Sequence, residues 1–298
     1  MKQSSRIARI SVVILVAITV FFACQSLFEP PPEYTLDIDA PVPRQIAQGH
    51  NEFLAKLFEK EAEWKGLGKA DMLKTVEGRQ QLLREAGREY LQENPRYAGV
   101  DIEKSVATTQ QFFQRLEERN KALLLKKAAD AENKAGVSDT ADTPKITGQE
   151  SVENIMAIKV ENGMMSERIH TAILELMHYQ QTAGVTVSTR DLQDYAEKEI
   201  LSSDWTEEEK QQLAIALAVH RASSEFWAMK KLTDAEMAEI GTAKNAQSWL
   251  CDYLTMWADI GGAIIGGAAG MEIPGGSIIL GPLFAGYASF YYKTYICS

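Results

Sequence analysis

The chain has 298 residues, which is long enough to bury the core of one or two domains. Hydrophobic residues make up 45% of it and charged residues 24%, a balance that excludes an intrinsically disordered chain. The formal net charge is −10, and since such a surface repels phosphates, the composition also excludes nucleic acid as a partner.

The N-terminus has the pattern of an export signal. Three basic residues come first: Lys2, Arg6 and Arg9. The apolar run that follows, residues 10–23, has 14 residues and is too short to span a bilayer. At Ala23 and Cys24 the chain resembles a bacterial lipoprotein signal, over residues 1–24 only. The resemblance implies that residues 1–23 are a cleaved signal peptide and that Cys24 carries palmitate or a similar lipid; an uncleaved membrane anchor is the alternative.

This N-terminus predicts a location at the cell envelope, on the periplasmic or cell-surface side. Residues 24–44 are predicted to be the lipid anchor and a proline-rich tether. Pro30, Pro31 and Pro32 favour an extended polyproline conformation there. Such a tether would hold the folded part of the protein away from the bilayer.

From residue 45 onwards, apolar side chains recur at helical spacing and no strand pattern is found. Residues 45–135 are predicted to be an N-terminal helical block, and residues 150–250 a second one. The polar residues 136–149, with Pro144 among them, are predicted to link the two. The predicted fold is all-α: a helical bundle, or two helical blocks, with a C-terminal glycine-rich antiparallel helical hairpin.

Two Glu-x-x-His pairs, Glu167–His170 and Glu175–His178, are candidate metal ligands. In di-iron bundles the two copies of this motif lie on facing helices. Here both lie on one predicted helix, about 12 Å apart, which is more typical of a solvated flank than of a metal centre. No catalytic residue and no cofactor is predicted. A metal-binding bundle or an enzyme that uses these pairs is kept as an alternative function.

Two further histidines lie outside that motif. His220 is in line with Leu213 and Leu217, so it is predicted to be a hydrogen-bonded core residue. His50 precedes an asparagine at the start of a short apolar run, and no function follows from that pattern.

Residues 251–298 are predicted to form a glycine-rich apolar hairpin. Small residues recur every fourth position in two strips, which lets two helix backbones approach closely. The first strip is Ala258, Gly262, Gly266 and Gly270, and the second is Ser277, Gly281, Ala285 and Ser289. A reversal near Pro274 pairs them in antiparallel register: Gly270 with Ser277, Gly266 with Gly281, Gly262 with Ala285, and Ala258 with Ser289. Pro282 is expected to kink the second helix or to mark its first turn.

The same register brings Cys251 and Cys297 to the open end of the hairpin, within one residue of facing each other. If Cys24 is acylated, these are the two thiols left in an oxidising compartment. A disulfide between Cys251 and Cys297 is therefore predicted.

Residues 253–292 resemble glycine-zipper regions of bacteriocin-like and pore-forming peptides. Residues 273–292 carry no charge and are about as long as a membrane span. Asp259, in contrast, would cost about 3 kcal/mol at the centre of a bilayer. Two locations for the hairpin stay open: insertion into a membrane, and burial among soluble helices.

The predicted function is that of a non-enzymatic, lipid-anchored cell-envelope protein. Its glycine-zipper hairpin would mediate membrane association, self-association or toxin-like insertion. The expected partners are a membrane, through the lipid and through residues 253–292, and a second copy of the chain or another envelope protein. A soluble periplasmic interaction module is the remaining alternative.

Overall fold

A computed structural model gives the fold. It describes residues 34–134, 165–183, 187–237, 255–263, 266 and 276–291. The chain divides into a short unit, Met1–Thr35, and a main unit, Leu36–Ser298. Only residues 34 and 35 of the short unit are described, so the fold is that of the main unit.

The first part of the main unit contains three long helices: α1 (Pro41–Gly66), α2 (Val76–Glu93) and α3 (Ile102–Lys134). Short 3-10 turns at Ala70–Lys74 and Pro95–Tyr97 connect them. Helix α2 begins after Thr75, whose hydroxyl accepts a hydrogen bond from the Gly78 amide. This cap satisfies one of the amide groups that have no partner within a helix.

The second part contains five helical segments. Helix α4 is Glu167–Ala183, and the short helix α5, Thr189–Tyr195, continues into a π-helical turn at Ala196–Ile200. Helix α6 is Glu207–Met237. The C-terminal hairpin consists of a first limb, α7 (residues 255–263), and a second limb, α8 (Gly276–Tyr291). Within the described ranges, no helix is both long enough and apolar enough to cross a bilayer.

All regular structure in these ranges is helical, and the helices pack as a bundle, so the all-α prediction is confirmed. Helix α1 is central, because it packs against α2, α6 and α8. Helix α3 covers α2 and α8, while α4 and α5 pack against α6. The two helical blocks expected from the sequence therefore contribute to one core, and the linker expected at residues 136–149 lies outside the described residues.

Helix α1 begins before the predicted end of the tether at residue 44. Pro41 and Pro43 lie in its first turn, where amide groups have no partner within the helix. The missing N–H of proline therefore costs no hydrogen bond there, and the fixed φ of proline suits the start of a helix. The prolines at 41 and 43 begin the helix rather than extend the tether.

Candidate functional site

The hairpin lies inside the bundle. In the first limb, Trp257, Ala258 and Ile260 are completely buried. In α8, every residue from 279 to 291 is buried. Of the two locations that the sequence leaves open, the described parts of both limbs occupy the protein core. A helix that is apolar on all sides needs such cover from its neighbours.

The two limbs approach closely at glycines. A Cβ added to Gly262 would lie 2.7 Å from the Cα of Ala285, and one added to Gly266 would overlap the backbone of Gly281. The structure thus brings together Gly262 with Ala285 and Gly266 with Gly281. The contact is between backbones, which cannot rotate away as side chains can.

The remaining residues of the expected register are described less fully. Ala258 and Ser289 are both buried within the hairpin. Gly270, Cys24, Cys251, Cys297 and the side chain of Ser277 lie outside the described part of the chain. The disulfide and the lipid attachment therefore stay predictions.

The outer face of α8 packs closely on α1. A Cβ added to Gly49 of α1 would lie 2.6 Å from Cγ of Pro282. Conversely, one added to Gly281 or Gly286 would lie 2.9 Å from Ile46 or Phe53, respectively. Pro282 lies within α8, and its ring fits against the α1 backbone at Gly49. The second small-residue strip therefore contacts both the first limb and α1.

One carboxyl group is buried in this apolar hairpin, that of Asp259 in the first limb. His50 of α1 approaches it with Nε2 3.4 Å from Oδ2. The hydroxyl of Ser223, from α6, hydrogen-bonds to the same oxygen, and that of Ser289, from α8, also interacts with the carboxyl group. All four side chains are completely buried. We call these four residues the Asp259 cluster.

The orientation of His50 follows from its neighbours. Asn51 Nδ2 donates to the Ala222 carbonyl at 3.0 Å, which leaves Asn51 Oδ1 as an acceptor. The His50 Nδ1, 2.8 Å from that oxygen, must therefore carry a hydrogen. Nε2 then faces Asp259 either as a cationic donor or as an acceptor for a carboxyl proton.

Burial raises the pKa of Asp259, because desolvation penalises the carboxylate. His50 opposes this shift by its charge and by hydrogen bonding, and Ser223 and Ser289 oppose it by hydrogen bonding. Ser289 accepts a hydrogen bond from Trp227 Nε1 at 3.2 Å, so its own hydroxyl hydrogen is free to point at the carboxyl group. The polar contacts of the cluster therefore compensate only partly for the lost hydration of the Asp259 carboxylate.

A second buried histidine touches the first limb from α6. The His220 ring is 5.7 Å from the Trp257 ring, centre to centre, and its Nδ1 is 2.9 Å from the Thr189 hydroxyl. Trp257 Nε1 donates to Gln180 Oε1 of α4 at 2.9 Å. His220 is thus a buried, hydrogen-bonded residue, as its position in the apolar pattern predicts, and burial lowers its pKa to about 4.

The Glu-x-x-His pairs do not form part of this site. Glu167, Glu175 and His178 are exposed on α4, and His170 is half-buried. In the part of the chain that the structure describes, no three His, Cys, Asp or Glu side chains are grouped closely enough to hold a metal ion.

The Asp259 cluster was not predicted from the sequence. There, Asp259 was considered only as a charge that is energetically unfavourable in a membrane. Its members come from four helices far apart in the chain, and helical periodicity shows which face a residue occupies but not which helix covers it. The one available signal is a single acid in a long uncharged segment, because a buried acid needs a partner.

No protein-family model, curated protein or solved structure matches this chain. The function is therefore inferred from the geometry of the hairpin and its polar contacts.

Replacing Gly266 with Ala is expected to destabilise the protein by about 1–3 kcal/mol, because the added methyl group overlaps the α8 backbone. Gly66→Ala is the matched control, since a Cβ there meets no atom within 4 Å. That substitution should change stability by less than about 1 kcal/mol. Urea unfolding measures both values, and equal values would contradict the close approach of the two limbs.

Stability is expected to fall as the pH drops from about 6.5 towards 4. In that window the unfolded chain protonates His220, with an ordinary pKa near 6.5, whereas the buried ring stays neutral down to about 4. The full loss is about 3 kcal/mol. His220→Gln should remove this part of the pH dependence, and His178→Gln, on the exposed face of α4, should keep it. Denaturant unfolding at several pH values tests this, and an unchanged slope in His220→Gln would contradict it.

Proposed function

We propose that this protein is a lipid-anchored protein of the bacterial cell envelope, without enzymatic activity, that keeps an apolar hairpin enclosed in its helical body. On release, the hairpin associates with a membrane or with a second copy of the chain. The observation that carries the proposal is the burial of α8, a helix of 16 residues without a charged side chain, beneath helices that carry charges on their outer faces.

The packing of the hairpin supports its release as a unit. The limbs contact each other through Gly262 and Gly266, and these backbone contacts involve neither α1 nor α6. A helix that is apolar on all sides is stable in a protein core or in lipid, but not in water. Close packing of small residues also holds helices together in lipid, where burial of apolar surface provides no driving force. The hairpin can therefore keep its internal packing in either environment.

The charged side chains of the covering helices support their role as a water-facing shell. Lys56 and Lys60 of α1 pair with Glu93 and Glu89 of α2, at 2.9 and 2.5 Å respectively. These pairs join α1 to α2, and α1 also packs against α8 and α6. Release of the hairpin would separate α1 from α8 and leave the pairing of α1 with α2 in place.

The lipid anchor is tested by labelling bacteria that express the full chain with palmitate. The intact protein should incorporate label and partition into detergent, because acylation of Cys24 supplies the apolar anchor. Cys24→Ser should lose both properties. Cys297→Ser is the control, and it should keep them. Label that persists in Cys24→Ser would show that the lipid is not on this residue.

The hairpin is tested with vesicles that contain a photoactivatable lipid. After incubation across pH 7 to 4 and illumination, the labelled peptides of the full chain are identified by mass spectrometry. We expect label in residues 255–291, because the described residues of both limbs are largely apolar and buried in the body. Peptides of α2, which is joined to α1 by charged pairs, serve as the internal control and should stay unlabelled. Label confined to α1–α3, or no label at any pH in this range, would refute the proposed role of the hairpin.

A further inference from the structure

We propose that His220 is an acid sensor for the hairpin: protonation of its ring weakens the contact between α6 and the first limb, and the limb separates from α6. This inference rests on the proposed function, since it names the signal that releases the enclosed segment. It is carried by the position of His220, which is enclosed between α5, α6 and the first limb of the hairpin.

The surroundings of His220 suit a neutral ring and not a cation. The residue is 1% exposed, so water cannot solvate a charge there. Nδ1 has the Thr189 hydroxyl as its partner, and Nε2 has no hydrogen-bond partner among the described residues. A neutral imidazole with one satisfied nitrogen tolerates this environment, whereas an imidazolium would bury a second N–H donor without an acceptor.

Among the described residues, no charged group contributes to the pKa of the His220 ring. Helix α5 presents Thr189, the first limb presents Trp257, and burial alone accounts for the low pKa of His220. Arg221, the next residue of α6, pairs with Asp39 at 2.6 Å in a partly exposed position. The buried carboxyl group of Asp259 interacts with His50, Ser223 and Ser289. A proton on His220 would therefore have no counter-ion among the described residues.

The first limb is the element that can relieve this charge. Trp257 packs against the His220 ring, and its indole donates a hydrogen bond to Gln180 of α4. Movement of the limb away from α6 would let water reach the imidazolium. It would also carry Asp259, two residues further along the same limb, out of its cluster. The contact at Trp257 and the Asp259 cluster are thus mechanically coupled through three residues of helix.

The buried carboxyl group of the same limb shifts in the opposite sense, since burial raises the pKa of Asp259. Acid therefore favours the buried form of Asp259 and disfavours the buried form of His220. Of these two groups, His220 is the one that mild acid would release.

The test is hydrogen–deuterium exchange on the purified full chain without vesicles, with rates corrected for the intrinsic effect of pH. Between pH 7 and pH 5, protection of residues 255–263 should fall about tenfold or more, while protection of α2 should change little. His220→Gln should abolish the fall, and His178→Gln should retain it. Equal loss of protection in α2 and the first limb would indicate global unfolding and overturn the inference. A persisting fall in His220→Gln would also overturn it.

A second measurement covers the case in which His220→Gln does not fold. The ring protons of the four histidines can be followed by NMR in the folded wild-type chain, with His170→Gln and His178→Gln used to assign the two histidines of α4. We expect the His220 ring to stay neutral until the first limb loses protection. A His220 ring that titrates while the limb stays protected would overturn the inference.

The outcomes separate the sensor from the proposed function. Loss of protection at pH 5 without lipid labelling from vesicles would refute the membrane role and leave the sensor intact. Lipid labelling of residues 255–291 to the same extent at pH 7 and pH 5 would support the membrane role and refute the sensor.

Discussion

The carboxyl group of Asp259 is the constraint around which the bundle is organised. It is completely buried in an apolar hairpin, and an isolated carboxylate in such a place would be prohibitively unfavourable. Its partners come from three different helices: His50 from α1, Ser223 from α6 and Ser289 from α8. A change of one residue in the register of any of these helices would remove its partner from the cluster. The cluster therefore specifies how the hairpin fits into the bundle, even though its net contribution to stability is reduced by desolvation.

Close packing of small residues also determines how the hairpin fits into the bundle. At Gly262 and Gly266 the limbs approach until a methyl group no longer fits, and at Gly49 the α1 backbone approaches Pro282 in the same way. Dispersion contacts between backbones are individually weak but numerous, and they require accurate placement. Small residues thus set the distance between the helices, while the Asp259 cluster sets their rotation and register. Together they explain how glycines, which weaken an isolated helix, are accommodated in this one.

The sequence predicts local features of this fold well and long-range partners poorly. The all-α class and the burial of His220 follow from periodicity, which depends only on neighbouring residues. The start of the first helix, predicted at residue 45, lies at Pro41. The prediction was wrong because prolines at 41 and 43 suit both a tether and a first helical turn. The pairing of His50 with Asp259 has no local signal, since it depends on which helix covers the hairpin. The fit of Pro282 against Gly49 was missed for the same reason.

Two buried ionisable groups at the first limb, His220 and Asp259, respond to pH in opposite directions. The lowered pKa of His220 means that its contribution to stability is complete above about 6.5 and is lost as the pH falls towards 4. The raised pKa of Asp259 has the opposite effect. The contribution of this carboxyl group to stability is complete below a pH of about 3.9 and is lost as the pH rises. Acid therefore weakens the packing of the limb on His220, at Trp257, while the Asp259 cluster still holds it through His50 of α1 and Ser223 of α6. This asymmetry implies an order of events: the limb first separates from His220, and the Asp259 cluster opens only when that separation draws the carboxyl group away from His50.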